Sequence, residues 1–328
     1  MRGETGSLAR LQDLAPSAAE FRDAVLWGLN QPQKTIPCKF FYDLEGSRLF
    51  DAICDTPEYY PTRTELSILA EVAPAIARLV GAGCAIVEFG SGAGIKIRTL
   101  LDALETAIAY VPVDISRSHL IAAAEALSAD YPGLHIAPVC ADYTKPFVLP
   151  AVGNARPRWL GFFPGSTIGN FSPPQAAGFL SQARRLLGEG GMMLVGVDLK
   201  KDRAVLEAAY NDAAGVTAAF NLNLLARIDR ELGGDFGHAE FRHRAFYDPA
   251  QGRIEMHLVS ARDQAVHVAG QDFRFKAGET VHTENSYKYG LDQFRRLAQS
   301  AGWRPAEVWT DPDRLFSLHL LTTCGASA

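Results

Sequence analysis

No stretch of this chain approaches the ~20 consecutive apolar residues that a membrane-spanning helix needs, and residues 1–17 lack the apolar core of a secretory signal. The expectation is a cytoplasmic protein with no membrane partner. Cysteine is sparse: Cys38, Cys54, Cys84, Cys140 and Cys324 are odd in number, far apart and without a C-x-x-C pair. Neither a disulfide framework nor a zinc cluster is suggested, and reduced, buried thiols and no bound metal are expected. A basic excess is also missing. With 32 Lys and Arg against 37 Asp and Glu, and no basic stripe interleaved with aromatics, nucleic acid is not an expected partner. No internal repeat or low-complexity tract interrupts the chain. What the sequence does hold is length and apolar content: 328 residues, 48% hydrophobic, enough for a large core in one elaborated domain or two.

Within that text one stretch stands out. Ala85 to Phe89 reads as a buried strand, residues 90–94 read G-S-G-A-G, and Ile97, Leu100 and Leu101 then recur at helical spacing. Gly90, Gly92 and Gly94 let the backbone bend sharply and approach a ligand. A dinucleotide fingerprint requires G-x-G-x-x-G, but Ile95 stands where its third glycine belongs, and no G-x-x-x-x-G-K-[ST] loop occurs. The remaining form, E-x-G-S-G-x-G, resembles motif I of the class I S-adenosylmethionine (SAM) methyltransferases. In that family the loop holds the methionine part of the cofactor, and an acid ending the next strand holds the ribose. The strand 108–114 ends in Asp114, at about the interval expected. A third strand, 135–143, ends in Asp142 and Tyr143, the place that contacts adenine in such enzymes.

Further strands are read at 158–163 and 192–198, with helices at 64–79, 116–127 and 173–187. The alternation predicts a parallel, doubly wound α/β sheet whose ligands gather beyond the carboxyl ends of its strands, within reach of Asn170. Asn170 is equally suited to stabilising its own turn. After residue 201 the pattern changes to two helical stretches and then to period-two text from 239 to 289, an antiparallel sheet with one wet face. Strands near 308 and 315–321 return to the first sheet. The division expected is a methyltransferase domain of residues 65–200 and 289–328, with a substrate-binding α+β domain of residues 18–64 and 201–288. Near the start, Pro57 and Pro61 bracket Tyr59 and Tyr60 in a segment expected not to be regular helix. Taken alone, Tyr42, Tyr59 and Tyr60 read as packing residues and Glu284 as part of a solvated sheet face.

Longer blocks alter those readings. F-F-Y-D through P-E-Y-Y-P-T-R-T-E at 40–65, G-S-T-I-G-N at 165–170, A-Y-N-D-A-A-G-V-T-A-A-F-N at 209–221 and R-I-E-M at 253–256 are similar to the histidine-specific Nα-methyltransferases of ergothioneine biosynthesis. The similarity covers nearly the whole chain, apart from about 15 residues at an N-terminus expected to be loose. It implies a monomeric enzyme that trimethylates the α-amino group of L-histidine, through its mono- and dimethyl forms, to hercynine, converting SAM to S-adenosylhomocysteine. It also implies substrate contacts at Tyr42, Tyr59, Asn170, Tyr210, Met256, Glu284 and Ser286. Cofactor contacts fall on Tyr59, Gly90, Lys96, Asp114, Asp142 and Tyr143, the last standing where Phe is common. Asn170 and Tyr210 would hold the carboxylate, Tyr42 would lie near the amine, and Glu284 and Ser286 would grip the imidazole against Met256. Because Glu284 and Ser286 are two apart on a strand, they should share a face. Two other readings stand beside this one: the same chemistry on another amino acid such as tryptophan, and a SAM-binding regulatory protein without catalysis.

Overall fold

The computed structural model describes residues 9–104, 106–152, 157–237 and 240–323. Cys324 and the first eight residues, which entered the readings of thiols and of a signal, lie outside these. The chain divides into two compact units, one formed by Met1–Ala15, Pro61–Lys200 and Lys288–Ala328 over their described residues, the other by Pro16–Tyr60 and Lys201–Tyr287.

The first unit is built on one sheet. Its strands run in the order Gln12–Leu14, Val139–Ala141, Ala109–Asp114, Ala85–Phe89, Trp159–Phe163, Met192–Asp198, Phe316–Thr323 and Trp303–Thr310, with His135–Ile136 paired beside Ala109–Asp114. Pairing is parallel as far as Met192–Asp198, and the last two strands are antiparallel. All five residues of Ala85–Phe89 are buried. A strand buried on both faces needs cover on both sides, and the helices between strands supply it. The apolar face of helix Tyr60–Val80, with Ile68, Leu69 and Ile76, joins Ile86, Leu160, Phe162, Leu194, Phe316 and Leu318 in one core cluster. Leaving and re-entering this unit, the chain pairs with itself at Leu199 and Tyr289, beside a fully buried ion pair of Asp198 and Lys288 at 2.7 Å.

Three local readings are corrected. Helix begins at Tyr60 rather than Thr64. Pro61 falls in its first turn, where a backbone N–H has no intrahelical partner to lose. The single strand read at 135–143 is two short ones, His135–Ile136 and Val139–Ala141, separated at Pro138, which has no N–H to give the ladder. And the supposedly loose N-terminus supplies Gln12–Leu14, an edge strand parallel to Val139–Ala141.

The second unit carries a four-stranded sheet in the order Lys34–Thr35, Thr280–Tyr287, Arg253–Ser260 and Phe241–Asp248, and a separate hairpin of Gln264–Val268 with Gln271–Phe275. Helix Val216–Leu232 lies on the sheet, and its Phe220 meets Phe41 at 4.5 Å between ring centres. The expected wet face is only partly wet. On Arg253–Ser260, Ile254, Met256 and Leu258 are buried on one face, but so are Glu255 and His257 on the other. These polar side chains can be buried because Glu255 has Arg253 as its counter-charge and His257 as a hydrogen-bond partner.

Ser317 and His319 are buried on Phe316–Thr323, where burial pulls the imidazole of His319 down to about 3, helped by the charge of Arg295. An unfolded histidine titrates at about 6.5. The stability held by a neutral His319 is therefore complete above that pH and is lost progressively as pH falls from there towards about 3. Thermal unfolding followed between pH 7.5 and pH 5 should show a falling midpoint, with a shallower fall in His319→Leu; an unchanged slope would refute the assignment.

Candidate functional site

The glycine turn follows the first unit's central strand. Gly90, Gly92 and Gly94 have φ of +77°, +49° and +70°, backbone that side chains with a Cβ rarely adopt. Gly90 N–H donates to Val113 O at 2.8 Å, pinning the turn to the neighbouring strand. Asp114, ending that strand, accepts from Gly92 N–H at 3.0 Å and from Ser116 N–H at 2.9 Å. A Cβ placed on Gly92 would meet nothing within 4 Å, so the turn faces open space. Ser91 Oγ is buried there with no hydrogen-bond partner. An adenosyl ligand fits such a cradle: a glycine backbone with no side chain in its way, an acid, and an orphaned hydroxyl.

Around the turn stand further groups. Asp142 accepts from Thr144 N–H at 3.0 Å, and the Tyr143 ring sits among Phe89, Phe163 and Phe179, its edge 3.8 Å from where a Cβ on Gly90 would be. Lys96, in the first turn of helix Ile95–Ala103, pairs with the fully buried Glu65 at 2.7 Å. Glu88, preceding the turn, accepts from the Tyr110 hydroxyl at 2.5 Å, and burial pushes its carboxyl up to about 8. It is therefore protonated at neutral pH. Asn170 ends the short 3-10 turn Thr167–Asn170 after strand Trp159–Phe163. The first unit thus brings Gly90, Lys96, Asp114, Asp142, Tyr143 and Asn170 to the carboxyl ends of its parallel strands, where ligands of such sheets bind.

A second constellation lies wholly in the other unit. Met256 opposes Glu284 across the strand pair, and Ile254 opposes Ser286, so Met256, Glu284 and Ser286 share one face. The Tyr210 hydroxyl donates to Ser286 Oγ at 2.8 Å. Tyr59 lies edge-on to Tyr210 at 6.3 Å, and Tyr42 packs against Phe50 and Phe220. Burial, then the nearby Tyr210, Cys54, Glu284 and Tyr42, push the Tyr59 hydroxyl well above its ordinary range. It stays protonated and is unsuited to acting as a base.

The face is set by a β-bulge. Register shifts between Met256 and His257, so that Thr283 is the extra residue. Its one hydroxyl proton is shared between Asn221 Oδ1 at 2.8 Å and Met256 O at 3.0 Å, and Asn221 Nδ2 donates to His257 O at 3.1 Å. Asn221, Thr283, Glu65 and the Glu88–Tyr110 pair were given no role in the sequence reading; the one local signal was a polar Asn221 on a helix face with Phe220, Leu224 and Leu225.

On the reverse face Glu255 accepts from Arg253 and His257, and the rings of His257 and His282 stack at 4.6 Å and 11°. Two imidazoles and a carboxylate gathered this closely could suggest a metal ion. Nearly parallel stacked rings, however, direct their in-plane lone pairs side by side rather than to one point, and Arg253 already neutralises the carboxylate. The cluster reads as a buried ion-pair network backing the strand.

A glycine turn and an acid ending the neighbouring strand, on a doubly wound sheet closed by an antiparallel pair, define a SAM-dependent methyltransferase of class I architecture. The chain belongs to the family described as histidine-specific, SAM-dependent methyltransferases, whose model matches residues 21–323. It is 44% identical to the histidine N-alpha-methyltransferase of Mycolicibacterium smegmatis, over 93% of this chain and 96% of that one. With the protein of the same name from Mycobacterium tuberculosis the identity is 41%, over 91% and 94%. It is 33% identical to ergothioneine biosynthesis protein 1 of Neurospora crassa, covering 88% of this chain and 33% of that larger one.

Asn221 is fully buried with its amide engaged on both sides. Asn221→Ala takes one acceptor from the Thr283 hydroxyl and the amide donor from the His257 carbonyl on the partner strand, and should lower stability by about 2 to 3 kcal/mol in urea unfolding. A loss below about 0.5 kcal/mol would show that the bulge does not depend on it.

Proposed function

We propose that the protein trimethylates the α-amino group of L-histidine with SAM, releasing hercynine and S-adenosylhomocysteine as the first step of ergothioneine biosynthesis, and that it works as a cytoplasmic monomer. The observation that carries this reading is the grouping of Met256, Glu284 and Ser286 on one sheet face beside Tyr210, in a chain 44% identical to a histidine N-alpha-methyltransferase. SAM supplies a methyl group activated on a sulfonium for in-line displacement. Gly90 and Lys96 would hold its methionine part, Asp114 the ribose hydroxyls, and Asp142 with Tyr143 the adenine, with Tyr59 at the rim.

For the substrate, Glu284 and Ser286 would engage the imidazole nitrogens against Met256, and Asn170 and Tyr210 the α-carboxylate. Commitment to both ring nitrogens would discriminate against side chains that cannot answer them, because buried polar groups would be left unpaired. Tryptophan, with one ring nitrogen, is disfavoured on this ground. The amine, once neutral, is already a nucleophile, so catalysis rests on positioning. Hydroxyls suit a nitrogen that gains methyl groups, since a carboxylate would stabilise the ammonium and slow attack. Tyr42 and Tyr59 therefore shape the amine site, and the raised Tyr59 hydroxyl agrees with a hydrogen-bonding rather than a proton-abstracting role.

Mass spectrometry of the protein incubated with SAM and an equimolar mixture of the common amino acids should show a trimethylated product from histidine alone. Trimethylation of another amino acid would overturn the imidazole assignment, and absence of product would favour a regulatory SAM-binding protein. Glu284→Gln, losing a charged hydrogen bond of about 1.5 to 3 kcal/mol, should raise the KM for histidine roughly 10- to 100-fold with SAM affinity unchanged. Light scattering after size exclusion checks the monomer.

A further inference from the structure

The carboxylate of Glu65 has no part in the roles above, yet three segments of the first unit meet on it. It lies in the second turn of helix Tyr60–Val80 and is fully buried. Its Oε2 accepts from the Lys96 ammonium at 2.7 Å and from Gly165 N–H at 2.8 Å. Its Oε1 points at strand Met192–Asp198, where a Cβ on Gly196 would stand 2.1 Å away, so the space at residue 196 is reserved for the carboxylate. Gly165, with φ +75°, opens the turn that carries Asn170, and Lys96 Nζ lies 3.3 Å from where its Cβ would be. The turn is held further by Ser166, itself at φ 57°, whose Oγ accepts from Asp198 N–H at 2.9 Å.

We infer that Glu65 is a positioning residue that aims the Lys96 ammonium at the cofactor and fixes the Asn170 turn in register with it. The inference rests on the proposed reading of Lys96 as a cofactor contact. Lysine carries its charge on a flexible four-carbon stem, and one side-chain ion pair at a dry carboxylate restricts it to one position. An ammonium has three donors, of which this bond uses one. The same oxygen that restrains Lys96 also receives Gly165 N–H, so the glycine turn's helix and the Asn170 turn share a single anchor.

Glu65→Gln keeps an acceptor for Gly165 but removes the charge facing Lys96. It should weaken S-adenosylhomocysteine binding in calorimetry by about tenfold or more, while the KM for histidine stays within about threefold. Glu65→Leu, which loses both bonds, should impair both. Because Glu65 acts through Lys96, the double variant Glu65→Gln/Lys96→Met should bind no more weakly than Lys96→Met alone. Wild-type binding by Glu65→Gln beside a weakened Lys96→Met would overturn the inference, as would multiplying losses in the double variant. Wild-type binding by Lys96→Met would overturn the Lys96 reading itself. Should Glu65→Gln not fold, the comparison of the double variant with Lys96→Met decides: equal affinities uphold the inference and a further loss overturns it.

Discussion

A parallel strand covered on both faces can present polar chemistry only at its ends, and this constraint governs the first unit. Ala85–Phe89 has no exposed residue, so the glycine turn at 90–94 and the acid of Asp114 that braces it have to gather beyond its carboxyl end. The dryness behind the turn has its own effect. Glu88, fixed to Tyr110, is held in its protonated form, so the turn is not backed by an extra negative charge at neutral pH.

The second unit meets a different requirement. Its sheet is not roofed by parallel crossovers, so polar residues can enter both faces if each finds partners. Arg253 and His257 both bond to Glu255 on the reverse face, while Tyr210 bonds to Ser286 on the obverse. A strand dry on both sides is stiff, and stiffness is what positioning of a small amine requires.

What could be read from sequence was whatever local spacing controls. The glycine turn, the acids at 114 and 142, and the sharing of a face by Glu284 and Ser286 follow from periods of two or three residues, and the structure has them. Pairings with distant partners were not legible. Glu65 meets Gly165 across 100 residues and Thr283 meets Asn221 across 62, and nothing near either position announces the other. Proline misled in two ways: Pro61 was read as a helix breaker but opens a helix, whereas Pro138 divides a strand read as continuous. Both outcomes depend on whether a neighbour needs the missing N–H. The N-terminal strand Gln12–Leu14 was hidden because an edge strand of three residues has no period to detect.

The bulge at Thr283 sorts the protein's own imidazoles. Were Thr283 an ordinary member of the ladder, His282 would fall on the face that bears Glu284 and Ser286; with the register shifted, His282 opposes His257 and both rings stack on the reverse side. A receptor that recognises free histidine by its ring has the particular hazard of being filled by a side chain from its own chain. One unpaired residue in a ladder removes that competitor, while His243, the imidazole that does lie on this face, is tied down by Asn221 and the Tyr210 carbonyl.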